Sequence, residues 1–393
     1  MKKKGGYIFS KAFILLFIIG FLTILVPLYT QAKVTGRCDN CHTMHNSQNG
    51  TSVDPNGPSE MLLKTNCVGC HSATDRTTAF DTLTGAPIVW NNAAGGPDYG
   101  ASYGGIGGIK QGLAGGNFYW VTQGDGDGEE NDNKGHNVFS DNPDEALASG
   151  APGNGGRGLD PSNCGGTNSC HSSISSTNSV TSQLKVGLNN RQGCTKCHMV
   201  DSKLGPNGFH HAGDDNTLVN AFPWYRFLRG HEGAKDHGVD GIEDPNFQLY
   251  PSYVHNEYRG YLNESTLEAH NITSFCCGCH GLFHTQISGS AWIRHPSDDV
   301  IPSTGEYASA FGATGGSGIG NYNHLVPVAR EDLSDIPDVS KVYLGEDMVM
   351  CLSCHRPHGS PYPDMLRWNY EDMQAGGIGT GGCFACHTEK DGS

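Results

Sequence analysis

The pattern C-x-x-C-H occurs six times in 393 residues. The copies are CDNCH (Cys38, Cys41, His42), CVGCH (Cys67, Cys70, His71) and CTKCH (Cys194, Cys197, His198), then CCGCH (Cys276, Cys279, His280), CLSCH (Cys351, Cys354, His355) and CFACH (Cys383, Cys386, His387). Zinc ribbons pair cysteines at this spacing but do not need a histidine directly after every second one. Short-spaced pairs repeated in this way also make a poor disulfide framework for an exported chain. Covalent haem attachment accounts for every position. Two thiols add to the porphyrin vinyl groups while the adjacent imidazole takes the iron from the proximal side.

A seventh copy is irregular. In CGGTNSCH, five small residues separate Cys164 from Cys170, and His171 follows. A bulged loop of that composition brings both sulfurs to one porphyrin, so seven c-type haems are expected, six by C-x-x-C-H and one by the longer spacing. A Cys164–Cys170 disulfide is the alternative. Cys277 is the leftover among 15 cysteines.

Haem iron keeps one axial position after the proximal histidine, and its occupant separates an electron carrier from a catalyst. Nineteen histidines less the proximal His42, His71, His171, His198, His280, His355 and His387 leave twelve, enough to close every iron. His45 in CHTMH, His284 in CHGLFH and His358 in CHRPHG follow a motif too closely to cross to the far side of their own porphyrin. They are expected to serve a neighbouring haem packed against the first. His136, His255 and His295 sit in polar loops suited to distal ligands; His211 is the next choice and His231 a reserve. No catalytic residue is expected, since irons ligated on both faces pass electrons and bind little else.

The rest of the composition fits that economy. Apolar residues are 36% of the chain and glycines number 56, thin material for a side-chain core of this size. Porphyrins supply the missing buried surface, and the expected fold is mostly irregular and loop-rich, with a few short helices around a haem stack. NAFPWYRFLRG and DMLRWNYEDMQ are the helix candidates, whereas the Gly/Asn/Asp-rich stretch from about Asn91 to Pro161 reads as long loops. Residues 1–32 have a basic start, an apolar run and a small-residue end, the layout of a signal peptide that directs the mature chain outside the cytoplasmic membrane. Residues 33–161 then form an N-terminal two-haem segment and 162–393 a C-terminal multihaem segment, read as one continuous domain. A net charge of −15 makes nucleic acid an unsuitable partner.

CHTMHNS, KGHN, the CHGLFH…WIRHP pair, CLSCHRPHGS…DMLRW and CFACH together resemble the outer-surface multihaem c-type cytochromes of metal-respiring prokaryotes, the OmcS/OmcE type, and more broadly the doubled-CxxCH proteins. The resemblance implies extracellular filaments with a continuous haem stack, bis-histidine irons and scant secondary structure. It also implies that His45 ligates a haem of the adjacent protomer. The expected function is extracellular electron transfer, with the chain itself, other redox cytochromes and external electron acceptors as partners. A monomeric periplasmic or surface shuttle, or a nitrite- or hydroxylamine-type oxidoreductase with one open haem, are the alternatives.

Overall fold

The computed structural model describes residues 36–53, 62, 64, 67–73, 81, 83–91, 113–122, 132–136, 194, 197–198, 217–221, 224–228, 238–244, 255–260, 270–277, 280, 295–374 and 381–388. Among these the helices are single turns or little more: α1 Cys38–Cys41, α2 Cys67–His71, α3 Tyr119–Thr122, α4 Ile272–Cys277, α5 Glu306–Ala310 and α6 Cys351–Cys354. None is long and apolar enough to cross a membrane. Strands are two or three residues each. The largest sheet has the order β5 (Leu218–Val219), β6 (Gly241–Ile242), β7 (Glu257–Arg259), β9 (Ala329–Arg330), with β7 and β9 parallel. Three small pairs stand apart: β1 (Ser47–Gln48) with β2 (Thr51–Ser52), β3 (Ser72–Ala73) with β4 (Trp90–Asn91), and β8 (Ile319–Asn321) with β10 (Lys341–Tyr343). The architecture is loop-rich, as composition implied.

Among the described residues, apolar side chains gather in three small clusters. Trp90, Phe118 and Val121 form the first, with Cys67 and Cys194 packed against it. Tyr225, Val239, Tyr258, Ile272, Ala329 and Met350 form the second. Ile301, Phe311, Val328, Val342 and Leu344 form the third, which Tyr307 and Cys386 join. Each cluster is in touch with a haem-type cysteine or the residue beside one.

A buried ionic knot holds the last two sheets in register. Arg330 donates from Nε to Glu257 at 2.8 Å, from Nη1 to Asp347 at 2.8 Å and from Nη2 to the Lys341 carbonyl at 2.8 Å. One guanidinium therefore joins β7, β9, β10 and the turn after β10, and its planar fork satisfies three acceptors at once.

Two sequence expectations change here. NAFPWYRFLRG and DMLRWNYEDMQ are not amphipathic helices: their described residues make only the 3-10 turns Tyr225–Phe227, Pro363–Met365 and Tyr370–Asp372. Backbone at positive φ breaks the first two, at Arg226 and Phe227 and again at Asp364 and Met365. The Gly-rich stretch is not loop alone either. It contains α3 and the 3-10 turn Asp132–Lys134, and Gly116 bridges Gly359 in parallel.

Candidate haem-binding site

Where all five residues are described, C-x-x-C-H folds as one helical turn. The motif histidine's amide closes it onto the first cysteine's carbonyl, as His42 does onto Cys38 at 2.8 Å, His198 onto Cys194 at 2.8 Å, His280 onto Cys276 at 2.9 Å, His355 onto Cys351 at 3.1 Å and His387 onto Cys383 at 2.9 Å. Residues three apart on a helical turn share a face. Both thiols of such a turn could therefore reach one porphyrin edge. The turn ends because the histidine goes extended, with nearly equal backbone angles at His42 (φ −114°, ψ 154°) and His355 (φ −112°, ψ 155°).

A coordinating imidazole needs a lone pair on Nε2, which follows when Nδ1 carries the proton. A carbonyl can only accept, so a carbonyl facing Nδ1 fixes that tautomer. Nδ1 of His71 donates to Pro87 at 2.7 Å, that of His198 to Arg226 at 2.8 Å and that of His355 to Asp364 at 2.7 Å. Outside the motifs, Nδ1 of His136 donates to Pro357 at 2.8 Å, that of His270 to Gly238 at 3.0 Å and that of His295 to Pro296 at 3.0 Å. The donor set fits haem iron.

Two of these acceptors come from a device that sequence reading missed. Leu228 bridges His198 and Leu366 bridges His355, and the accepting carbonyl belongs to the residue two before each leucine. That residue and the next have left-handed backbone: Arg226 (φ 48°) with Phe227 (φ 60°), and Asp364 (φ 58°) with Met365 (φ 57°). Consecutive left-handed non-glycine residues each cost about 1–3 kcal/mol and persist only where their surroundings impose them. Here the imposed turn aims a carbonyl at the proximal ring. A third copy lies at the first motif: Thr43 donates to Leu62 and Lys64 to Cys41, as Arg356 donates to Met365 and Arg367 to Cys354. Leu62 again has positive φ, at 58°. The sequence signal was the recurrence of MLLK (61–64), RFLR (226–229) and DMLR (364–367).

Motif and non-motif histidines meet in pairs. An imidazole nitrogen sits about 2 Å from a first-row metal, so two rings facing across one iron have centroids about 6 Å apart. His198 and His358 stand at 5.9 Å, His136 and His280 at 6.0 Å, and His295 and His387 at 6.0 Å.

His358 has the most elaborate seat. Its ring stacks on Phe118 at 4.6 Å, and burial beside His198, His136 and His71 pushes its pKa down to about 3, which keeps the ring neutral. Backbone closes around it so tightly that a Cβ on Gly115 would lie 2.8 Å from its Nδ1, and one on Gly135 would lie 2.8 Å from its carbonyl oxygen. At Gly116 (φ 88°) an added Cβ would meet the Gly359 oxygen at 2.0 Å. The glycines of this stretch wall in the His358–Gly359 segment.

His255 takes a different place from the one expected. Its Nε2 faces the Val339 carbonyl at 2.8 Å and its Nδ1 faces Asn256 O at 3.2 Å and Glu257 Oε1 at 3.3 Å, while the ring lies flat on Tyr322 at 3.7 Å. Both nitrogens point at protein oxygens, which leaves neither aimed at an iron. It extends the Arg330–Glu257 knot instead. His45 is exposed, at positive φ (55°) in the turn closed by the Met44–Ser47 bridge just before β1. Cys164, Cys170, His171, Cys279, His211, His231 and His284 lie outside the described residues, as do residues 1–35.

Thiol contacts give the order of the motifs. Cys41 lies against Cys70, Cys67 against Cys194 and Cys276 against Cys351. Cys197 and Cys276 are electrostatic neighbours, as are Cys354 and the Cys383–Cys386 pair. The six regular motifs thus run in chain order. Burial pushes the Cys354 and Cys386 thiols up to about 12 and Cys70 up to about 11, which marks apolar surroundings around these sulfurs.

A doubled CXXCH motif family model matches residues 345–392, the stretch holding the last two attachment turns. The chain is also similar to two solved structures from Geobacter sulfurreducens. One is the OmcS nanowire seen by cryo-EM, at 18% identity and a TM-score of 0.46, covering 87% of this chain and 85% of that one. The other is the Outer Membrane Cytochrome S filament, at 18% identity and a TM-score of 0.40, covering 86% and 85%. No curated protein matches.

Proposed function

We propose that the chain is an extracellular electron-transfer cytochrome carrying seven c-type haems, each iron held between two imidazoles. The observation that carries this reading is the set of three motif/non-motif histidine pairs at 5.9–6.0 Å. The cysteine pairs would anchor porphyrins, which supply one-electron chemistry when bound. The chain's own work is to orient imidazoles, exclude water and bring successive haems together in motif order. Of the finer assignments, His358 serves the Cys194/Cys197 haem, His136 the Cys276/Cys279 haem and His295 the Cys383/Cys386 haem. His270 replaces His255 in the ligand set, because its Nδ1 donates to Gly238 and its ring stacks on Trp224 at 4.9 Å.

Intact mass and low-temperature EPR of protein from its native host test the reading together. Seven covalent haems with low-spin signals are expected. A mass for far fewer, or spectra dominated by high-spin iron, contradict it. One strongly high-spin centre with nitrite turnover would favour an oxidoreductase.

Assembly rests on His45. Its exposed, left-handed position in the turn before β1 suits a ligand for a second copy, and Met44 beside it is 69% exposed. His45→Ala is expected to retain its haem content but form no filaments by negative-stain microscopy; full-length filaments from that variant would remove the inter-subunit role.

A further inference from the structure

The last motif differs from three others in what faces its histidine. His71, His198 and His355 each give Nδ1–H to a neutral backbone carbonyl. Nδ1 of His387 faces a carboxylate instead, Glu306 Oε1 at 3.3 Å, with both side chains mostly buried (19% and 12% exposed). Glu306 opens α5 directly after Gly305 (φ 66°). The contact is reinforced from both sides: Thr388 Oγ1 donates to the Glu306 carbonyl at 3.3 Å, and the Tyr307 ring meets the His387 ring edge-on at 5.4 Å. The His255–Glu257 contact also joins imidazole to carboxylate, but there Nε2 is occupied by Val339.

A carboxylate draws the Nδ1 proton more strongly than a carbonyl does, which raises the electron donation of the opposite nitrogen. A stronger axial donor favours ferric over ferrous iron, and second-shell hydrogen bonding is one of the protein's levers on haem potential. We infer that Glu306 is a positioning residue that lowers the potential of the Cys383/Cys386 haem below those of the haems held at His71, His198 and His355. The inference rests on the haem reading above. It gives this part of the string a direction: electrons entering at the C-terminal motif run downhill towards the haems of His355, His198 and His71, whose Nδ1 partners are neutral carbonyls.

Spectroelectrochemical titration of the full-length holoprotein tests it, comparing wild type with Glu306→Gln, Glu306→Ala and the exposed charge control Glu331→Gln. Haem count by intact mass should be unchanged in all four. In Glu306→Gln one low-potential transition should move upward, with the ferric-to-ferrous ratio of that haem at fixed poise falling about tenfold, equivalent to about 59 mV for a one-electron couple. Glu306→Ala should move it at least as far, and Glu331→Gln should leave it in place. A curve for Glu306→Ala superimposable on wild type at full haem content overturns the inference while leaving the haem reading intact. So does an equal shift of every transition. Peptide mapping that finds no haem on Cys383 and Cys386 in wild type overturns the haem reading itself.

Discussion

A single methyl group at Gly116 is expected to take His358 off its iron. Gly116 has φ 88°, where a side chain costs about 1–2 kcal/mol in backbone strain alone. The larger effect is steric: the new Cβ would sit 2.0 Å from the Gly359 oxygen and 3.1 Å from the Arg356 Cβ. Both neighbours are fixed. Arg356 is fully buried, and Gly359 is bridged to Gly116 itself while its amide donates to the Arg356 carbonyl at 3.0 Å. The segment carrying His358 must therefore move outward by more than an ångström, farther than an axial bond tolerates. Gly116→Ala should show one haem converted from low-spin to high-spin by EPR, with the others unchanged. Gly50→Ala is the matched control, since Gly50 also has positive φ (79°) but open space around it. A fully low-spin Gly116→Ala protein would show that His358 is not a ligand or that its seat is soft.

Removing Arg330 should cost more in stability than any surface change. Its loss leaves Glu257 and Asp347 as buried carboxylates without their shared counter-charge, and orphaning one side of a buried ion pair costs about 3–5 kcal/mol. Arg330→Met keeps the volume and isolates the charge effect. Burial already raises Asp347 to about 6 from 3.8, against the pull of Arg330. A folded pKa above the unfolded one favours the fold at low pH, and that contribution disappears as pH rises through the folded value. Without Arg330 the Asp347 carboxyl rises further, so the penalty in Arg330→Met should be smallest near pH 4 and grow through pH 6 and beyond. Denaturant unfolding followed in the far-UV at several pH values checks both points. A triple variant that also carries Glu257→Gln and Asp347→Asn should recover much of the loss. A pH-independent penalty below about 1 kcal/mol would mean that the knot contributes packing rather than charge balance.

What could be read from the sequence follows from the range of each interaction. C-x-x-C-H is legible because covalent chemistry demands it within five residues, and every copy described in full forms the turn that chemistry needs. His136, His295 and His358 were legible as candidates but not as partners, because His136 meets a ring 144 positions away, at His280. His255 and His270 look alike in sequence. What separates them is a remote carbonyl, Val339 for the first and Gly238 for the second. The turns at Arg226–Phe227 and Asp364–Met365 read as helix because their residues favour helix; the left-handed backbone that aims a carbonyl at a proximal histidine is a tertiary imposition. Recurrence of the leucine-basic pair beside three motifs was the available clue. The glycine-rich stretch misled in the opposite sense, since Gly115, Gly116 and Gly135 are glycines for close packing on the Arg356–Gly359 segment rather than for loop freedom.

A cryo-EM map of the protein from its native host, at a resolution that shows porphyrin planes, reaches the central claim directly. Planar density should stand between His198 and His358, between His136 and His280, and between His295 and His387, with each iron coordinated on both faces. Porphyrins lying elsewhere, or with one face open at these three places, would contradict it.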